Sequence, residues 1–171
     1  NHLIESDQLR PLLNQKEKGF FSFINDKGRY EAIWQEMDRF AIQNYYLDRG
    51  FLDVEVFPAE LDKQDPLNAT LAYTIQEGRH YRIGNVVISG ARKADQTELA
   101  NRISLQAEEP ASRRRIEAAS EVIRAYFGDR GYIATRVNPV LDADPLEGLV
   151  HVDFQIREGR QGSISRVNIL G

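Results

Sequence analysis

Tyr46-Leu47-Asp48-Arg49-Gly50-Phe51 returns later in the chain as Phe127-Gly128-Asp129-Arg130-Gly131-Tyr132, so Gly131 repeats Gly50 at an offset of 81. The same offset carries Val56 and Pro58 onto Val137 and Pro139, and Ile75-Gln76-Glu77-Gly78-Arg79 onto Ile156-Arg157-Glu158-Gly159-Arg160. It also carries Ile83, Val86, Ile88 and Gly90 onto Ile164, Val167, Ile169 and Gly171. A repeat of this kind decides the architecture, because each copy must be one supersecondary unit. Upstream the offset becomes 90, with Leu9 and Leu13 matching Leu99 and Ile103. The first copy therefore holds nine extra residues between its helices, around Lys16-Glu17-Lys18-Gly19-Phe20-Phe21-Ser22-Phe23.

Within each copy the apolar period identifies the elements. Asp95 followed by Glu98 is a capping-box pattern, and Leu99 and Ile103 four residues apart place a short helix there. Ser112 can cap a second helix, on which Ile116, Ala119, Ile123, Tyr126 and Phe127 form one stripe. In the first copy the matching stripe is read as Ile33, Met37, Phe40, Ala41 and Tyr45, with Trp34 beside it. Gly50 and Gly131 then end these helices, since glycine takes the left-handed conformation most cheaply. Beyond them the period changes to two. Leu52, Val54 and Val56 alternate against Phe51, Asp53 and Glu55, and Ile133, Thr135 and Val137 against Tyr132, Ala134 and Arg136. Polar turns at Asp65-Pro66 and Asp144-Pro145 lead into second alternating runs: Leu71, Tyr73 and Ile75 in one copy, Val150, Val152, Phe154 and Ile156 in the other. Tyr81 to Ile88 is a strand that opens copy two, and Ser163 to Leu170 would open a third. The reading is an α+β fold of two tandem units, each strand-helix-helix-strand-strand, with two helices on one face of a three-stranded sheet.

Composition narrows the chemistry. The 171 residues are 42% hydrophobic and 28% charged, the balance of folded protein rather than disorder. The net charge of −4 offers no basic footprint for phosphate backbones, so nucleic acid is not expected as a partner. With no Cys, thiolate catalysis, Cys-based zinc sites and disulfides are excluded together. No apolar run approaches the roughly 18 residues needed to cross a bilayer, and the start has no signal-peptide pattern. His2, His80 and His151 lack metal-ligand spacing, and no phosphate loop or nucleophile elbow appears. No cofactor is expected. Glu77 and Glu158 are one position in two successive copies, so they are not a paired-carboxylate site. Arg113-Arg114-Arg115 is the one basic cluster. Glu108, Glu109, Glu117 and Glu121 stand close enough to neutralise it into a solvated face, the alternative being an anionic lipid or acidic partner. No enzyme is read from these residues.

The aromatic-x-x-x-Gly-[Phe/Tyr] corner after the second helix, the Glu-Gly after the third strand and the Val/Ile-rich strand ending in Gly, twice in register, resemble POTRA (polypeptide-transport-associated) repeats. Such repeats stand in tandem ahead of the membrane barrel in BamA-type outer-membrane protein assembly factors. On this resemblance the first domain is 1–78 without its opening strand, the second is 79–159, and 160–171 is the opening strand of a following repeat. It implies a periplasmic arm of an outer-membrane protein, without signal peptide or barrel, that receives unfolded outer-membrane polypeptides and accessory assembly lipoproteins. The alternatives are a POTRA module of a two-partner secretion or organelle import transporter, or of a cell-division scaffold. Independently of family, a three-stranded sheet leaves strand edges that can pair with an extended chain. The expected client-binding edges are the strands after each second helix, Phe51, Leu52, Asp53, Val54, Glu55, Val56 and Phe57, and Tyr132, Ile133, Ala134, Thr135, Arg136, Val137 and Asn138. Phe20, Phe21 and Phe23 either enlarge the core or form a partner patch. Arg79, His80, Tyr81 and Arg82 are read as the interdomain hinge, and Ser163 to Gly171 as a strand that pairs with copy one of a neighbouring chain or otherwise joins a sheet edge.

Overall fold

The computed structural model describes residues 4–13, 32–62, 70–92, 94 and 96–163. The chain divides into two compact units, Asn1–His80 and Tyr81–Gly171. The patch at Phe20, Phe21 and Phe23 lies outside the described residues, as do the Asp95 cap, the Asp65-Pro66 turn and the exchanging strand beyond Ser163.

In the first unit α1 (Ser6–Leu9) runs into a 3-10 turn at Arg10–Leu12, where Pro11 has no N–H to continue an α-helix. The long helix α2 (Ala32–Leu47) follows. Four short strands come next: β1 (Glu55–Val56), β2 (Glu60–Asp62), β3 (Thr70–Ala72) and β4 (Ile75–Gln76). β1 pairs with β4 and β2 with β3, both antiparallel, as one hairpin interrupted at 57–59 and 73–74. The Phe57 N–H still donates across the interruption to the Thr74 carbonyl, at 2.9 Å. Ile4, Leu9, Ile42, Tyr46, Leu47, Phe51, Val54 and Val56 form the core.

The expected stripe on α2 is corrected here. Met37 and Phe40 are 49% and 55% exposed, while Asp38, Ile42 and Tyr46 face inward. The 81-residue offset maps those three onto Ala119, Ile123 and Phe127, so the repeat holds where apolarity misled. The inward polar groups are satisfied: the Tyr73 hydroxyl donates to Asp38 Oδ2 at 3.3 Å, and the Tyr46 hydroxyl to Glu77 Oε1 at 3.1 Å. Buried polar side chains with partners are tolerated.

The second unit has the expected order: β5 (Arg82–Ser89), α3 (Gln96–Arg102), α4 (Arg113–Gly128), β6 (Arg136–Asp144) and β7 (Leu149–Arg157). β7 is the central strand, parallel to β5 and antiparallel to β6. Along β7 the alternation is complete, with Val150, Val152, Phe154 and Ile156 buried under the helices. Leu99, Ile116, Ala119, Ile123 and Phe127 meet them from α3 and α4, and each large apolar side chain so buried contributes about 1.5–3 kcal/mol. Ser112 caps α4, its hydroxyl accepting from the Arg115 N–H at 3.3 Å. In the turn after β6, Asp144 Oδ1 accepts from the N–H groups of Leu146 and Glu147.

Both long helices end in the same way. The Phe51 N–H donates to the Tyr46 carbonyl and the Gly50 N–H to that of Leu47, as Tyr132 does to Phe127 and Gly131 to Gly128. Gly50 and Gly131 have φ of 89° and 84°, the left-handed cap this motif needs. The ring after each glycine packs edge-on against the ring five residues earlier, with centroids 5.4 Å apart for Tyr46–Phe51 and 6.1 Å for Phe127–Tyr132.

That corner also corrects the expected strand onsets. Leu52-Asp53 and Ile133-Ala134 are turns, closed by Val54 N–H to the Phe51 carbonyl and Thr135 N–H to the Tyr132 carbonyl. Pairing therefore begins at Glu55 and Arg136, and the alternation expected from residues 51 and 132 does not form. Phe51 and Val54 are both buried, and Ile133 is 82% exposed. Beyond the turn the expected parity holds, with Val54, Val56 and Val137 buried and Glu55 and Arg136 exposed.

Candidate binding edges

A sheet of three strands exposes two outer edges, and in the second unit these differ in chemistry. Among the described residues β6 is paired only with β7, which leaves one side of its nine-residue main chain open. That edge carries Pro139, which has no N–H to offer, and the charges of Arg136, Asp142 and Asp144. Natural sheets blunt their edges in this way. Of the residues expected to receive clients here, Arg136, Val137 and Asn138 lie in β6, while Tyr132, Ile133, Ala134 and Thr135 form the corner before it. In the first unit only Glu55 and Val56 of the stretch from Phe51 to Phe57 lie in a strand. Phe51 and Val54 are instead core residues.

β5, the opposite edge, was not singled out from sequence. A bulge at Gly84-Asn85 divides it, where the register shifts between Ile83 and Val86. The Asn85 N–H donates to His151 Nδ1 at 3.0 Å, and a Cβ on Gly84 would lie 2.7 Å from that nitrogen, so a side chain at the bulge would displace the His151 ring. Before the bulge the chain covers its own edge. Ile83 N–H donates to the Glu109 carbonyl at 2.7 Å, Glu108 N–H to the Ile83 carbonyl at 2.8 Å, and Ala111 N–H to the Tyr81 carbonyl at 3.0 Å. Glu108, at φ 68°, turns the segment into place, and its carboxylate pairs with Arg82. Beyond the bulge β5 runs beside a groove of about 420 Å³ that α3 and the residues after it help to line. The signals in the sequence were the glycine inside a Val-rich strand and the Ala100, Ile103, Leu105 spacing.

Of the four residues read as a hinge, His80 stacks edge-on against Phe51 at 5.2 Å in the first unit. Tyr81 is 2% exposed and Arg82 is the first residue of β5, so both are built into the second.

Polar side chains between the helices and the corner hold the sheet's support. Glu98 on α3 accepts from Arg102 at 2.8 Å, from the Tyr126 hydroxyl at 3.2 Å and from Arg130 at 3.1 Å. Burial works against its carboxylate, yet the hydrogen bonds from Arg102 and Tyr126 and the charges of Arg130 and Arg102 hold it below the ordinary value. Arg130 also stacks on Tyr126, 3.7 Å from its ring centre, as Arg49 does on Tyr45 at 3.3 Å. Burial, with the Glu77 hydrogen bond and charge, pushes the Tyr46 hydroxyl up to about 12. In the basic cluster, Arg115 pairs with Glu109 at 2.6 Å, and nearby Arg124 pairs with Glu117 and Glu121. Among the described residues no cluster of His, Asp or Glu could hold a metal, and no helix is long and apolar enough to cross a membrane.

The family model described as "POTRA: Surface antigen variable number repeat" matches residues 81–159. The chain is 21% identical to the outer membrane protein assembly factor BamA of Nitratidesulfovibrio vulgaris over 172 residues, 98% of this chain and 22% of that protein. It is 18% identical to BamA of Neisseria meningitidis serogroup B over 177 residues, all of this chain and 22% of the relative. The chain thus spans about a fifth of the length of the curated relatives it matches. Its fold is similar to that of POTRA domains 3–5 in a crystal structure of Haemophilus influenzae BamA, with a TM-score of 0.72 at 22% identity over 94% of this chain and 63% of that one. The strand order, the glycine corner and the matched segment agree: residues 81–159 match the POTRA family model and have the fold of a POTRA domain.

Proposed function

We propose that the chain is a periplasmic binding and scaffold module of an outer-membrane protein assembly factor, the first unit (1–78) serving as a second POTRA-like domain beside the one at 79–159. It receives unfolded outer-membrane polypeptides and accessory assembly lipoproteins, and in the full-length protein it precedes a membrane barrel. Its role is binding rather than catalysis. The relatives are BamA-type assembly factors, and the observation that carries the binding mode is the open main-chain edge of β6. Pairing through N–H and C=O groups reads backbone and ignores side-chain identity, which suits a receptor for many clients. In the first unit the equivalent edge is Glu55–Val56.

Titration with an extended peptide copied from a barrel strand tests this. Amide shifts at Arg136, Val137 and Asn138, or at Glu55 and Val56, are expected in the millimolar range. A spectrum in which no amide of the chain moves would overturn the proposal.

A further inference from the structure

We propose that the outer edge of β5 after its bulge, Val86 to Ser89, is a separate strand-addition site, whose occupant is an uncharged extended segment with apolar residues at alternate positions. The inference rests on the reading that this chain binds extended polypeptide, and it names an edge and an occupant which that reading does not.

Three observations carry it. First, the edge is already used by the chain itself: residues 108–111 add to Tyr81–Ile83 through three main-chain hydrogen bonds, with an antiparallel bridge between Arg82 and Pro110. Val86 to Ser89 continue that interface, and among the described residues nothing pairs with their outward N–H and C=O groups. Second, this stretch lacks every device that blunts β6. It contains no charge and no proline, and Val87 is 52% exposed. An apolar edge left open templates association, so an open one in a binding module marks a site. Third, the groove beside it is shaped for side chains. Val86 and Ile88 share the face of Val152 and Phe154, towards the helices, and with Gln96, Ala100, Ile103 and Leu105 they help to line about 420 Å³.

An incoming strand would place its residues opposite Val86 and Ile88 over this groove and the intervening ones on the other face of the sheet. The named lining is uncharged, so a charged side chain entering it would lose its hydration without a partner. This selects an alternating apolar segment over a charged one. Four paired residues span about 13 Å, enough to anchor a strand but not to hold it tightly.

The test uses the whole chain and a short peptide of alternating threonine and valine with a lysine at each end. A second peptide carries N-methyl groups on alternate residues, which removes main-chain donors and keeps the side chains. Expected are amide shifts at Val86, Val87, Ile88 and Ser89 with the first peptide and their loss with the second. Ala100→Trp, an exposed helix position at the groove, should weaken binding about tenfold. The chain's thermal unfolding reports whether this variant is folded, and Ala100→Ser, which leaves the groove open, should bind as the parent does.

Shifts confined to residues 136–144 would overturn this site and leave the proposed function standing. No shift anywhere would overturn both. Equal binding of the N-methylated peptide would mean the groove takes apolar groups without strand addition, and would also overturn the proposal. So would sedimentation showing a dimer that Ala100→Trp abolishes, since the edge would then serve a second copy.

Discussion

The corners at Gly50 and Gly131 share a geometry, yet the helices leading into them are held by different chemistry. In both, an arginine lies over the ring four residues before it and donates to that residue's carbonyl, at 3.1 Å for Arg49 and 3.0 Å for Arg130. In both, a glycine 28 residues beyond the corner glycine sits hard against the turn, so that a Cβ on Gly78 or Gly159 would lie 2.8 Å from the Cβ of Asp53 or Ala134. The side chains inside the corner differ. The first unit buries a tyrosine hydroxyl and a carboxylate, Tyr46 and Asp38, where the second buries Phe127 and Ala119. The second instead locks α3 to α4 through Glu98, whose counterpart in the first copy is Gln8. Backbone geometry is thus the common requirement, and each unit fills it with its own mixture of apolar and polar contacts.

The largest test of that equivalence is to empty both corners. Phe127→Ala removes a fully buried ring and should destabilise the second unit by about 3–5 kcal/mol, read by urea unfolding. Tyr46→Ala, at 2% exposure, should cost the first unit a similar amount and also remove the hydroxyl that donates to the Glu77 carboxylate. A Tyr46→Ala loss below about 1 kcal/mol would show that the first corner is not a core element, and would break the comparison.

Next come the glycines. Gly50→Ala and Gly131→Ala each force a Cβ into the left-handed region, for about 1–2 kcal/mol. At Gly131 the added carbon would also lie 2.9 Å from the Gly162 carbonyl oxygen. Asparagine tolerates this conformation better, so Gly50→Asn should be milder than Gly50→Ala. The reverse order would mean that space rather than φ demands glycine there.

Much of this was legible in the sequence, because corners are marked by residues with few substitutes. Glycine at a left-handed cap, aromatic rings five apart and a Ser cap before α4 leave signatures at fixed spacing. The inward face of α2 was not legible from apolarity. Asp38 and Tyr46 are polar residues whose partners, Tyr73 and Glu77, lie 35 and 31 positions away and meet them only after folding. The strand onsets were missed for a related reason, since the turns at Leu52-Asp53 and Ile133-Ala134 read as alternating β sequence. The β5 edge was hidden differently. That residues 108–111 cover only its first half is a fact of pairing, and pairing partners are not written locally.

Tyr46→Phe converts the first corner towards the second and should cost about 0.5–1.5 kcal/mol for the lost hydrogen bond to Glu77. It should also alter the alkaline limb. The folded-state value of this hydroxyl, about 12, lies above its ordinary 10.0, so its contribution is complete below pH 10 and lost as pH rises towards 12. The parent should therefore lose stability between pH 10 and 12 more steeply than Tyr46→Phe. Parallel slopes for the two proteins would remove Tyr46 from the account.

The smallest effect concerns Glu98, and it acts at the other end of the pH scale. Its folded value lies below the ordinary 4.5, so it contributes stability above that pH and loses it as pH falls through the folded value. The group is partly exposed, and its pairs with Arg102 and Arg130 are screened by solvent and by salt. Glu98→Gln keeps a side chain that can accept from the Tyr126 hydroxyl but removes the charge. Its melting temperature should fall slightly at neutral pH, converge with the parent's in acid, and respond less to added salt. Gln8 already stands at this position in the first unit, so Gln8→Glu there should reproduce only part of the effect: Tyr45 and Arg49 match Tyr126 and Arg130, but the place of Arg102 holds Leu12. If Gln8→Glu stabilised the first unit as much as Glu98 stabilises the second, the helix pairs would be held by a shared electrostatic rule rather than by contacts particular to each copy.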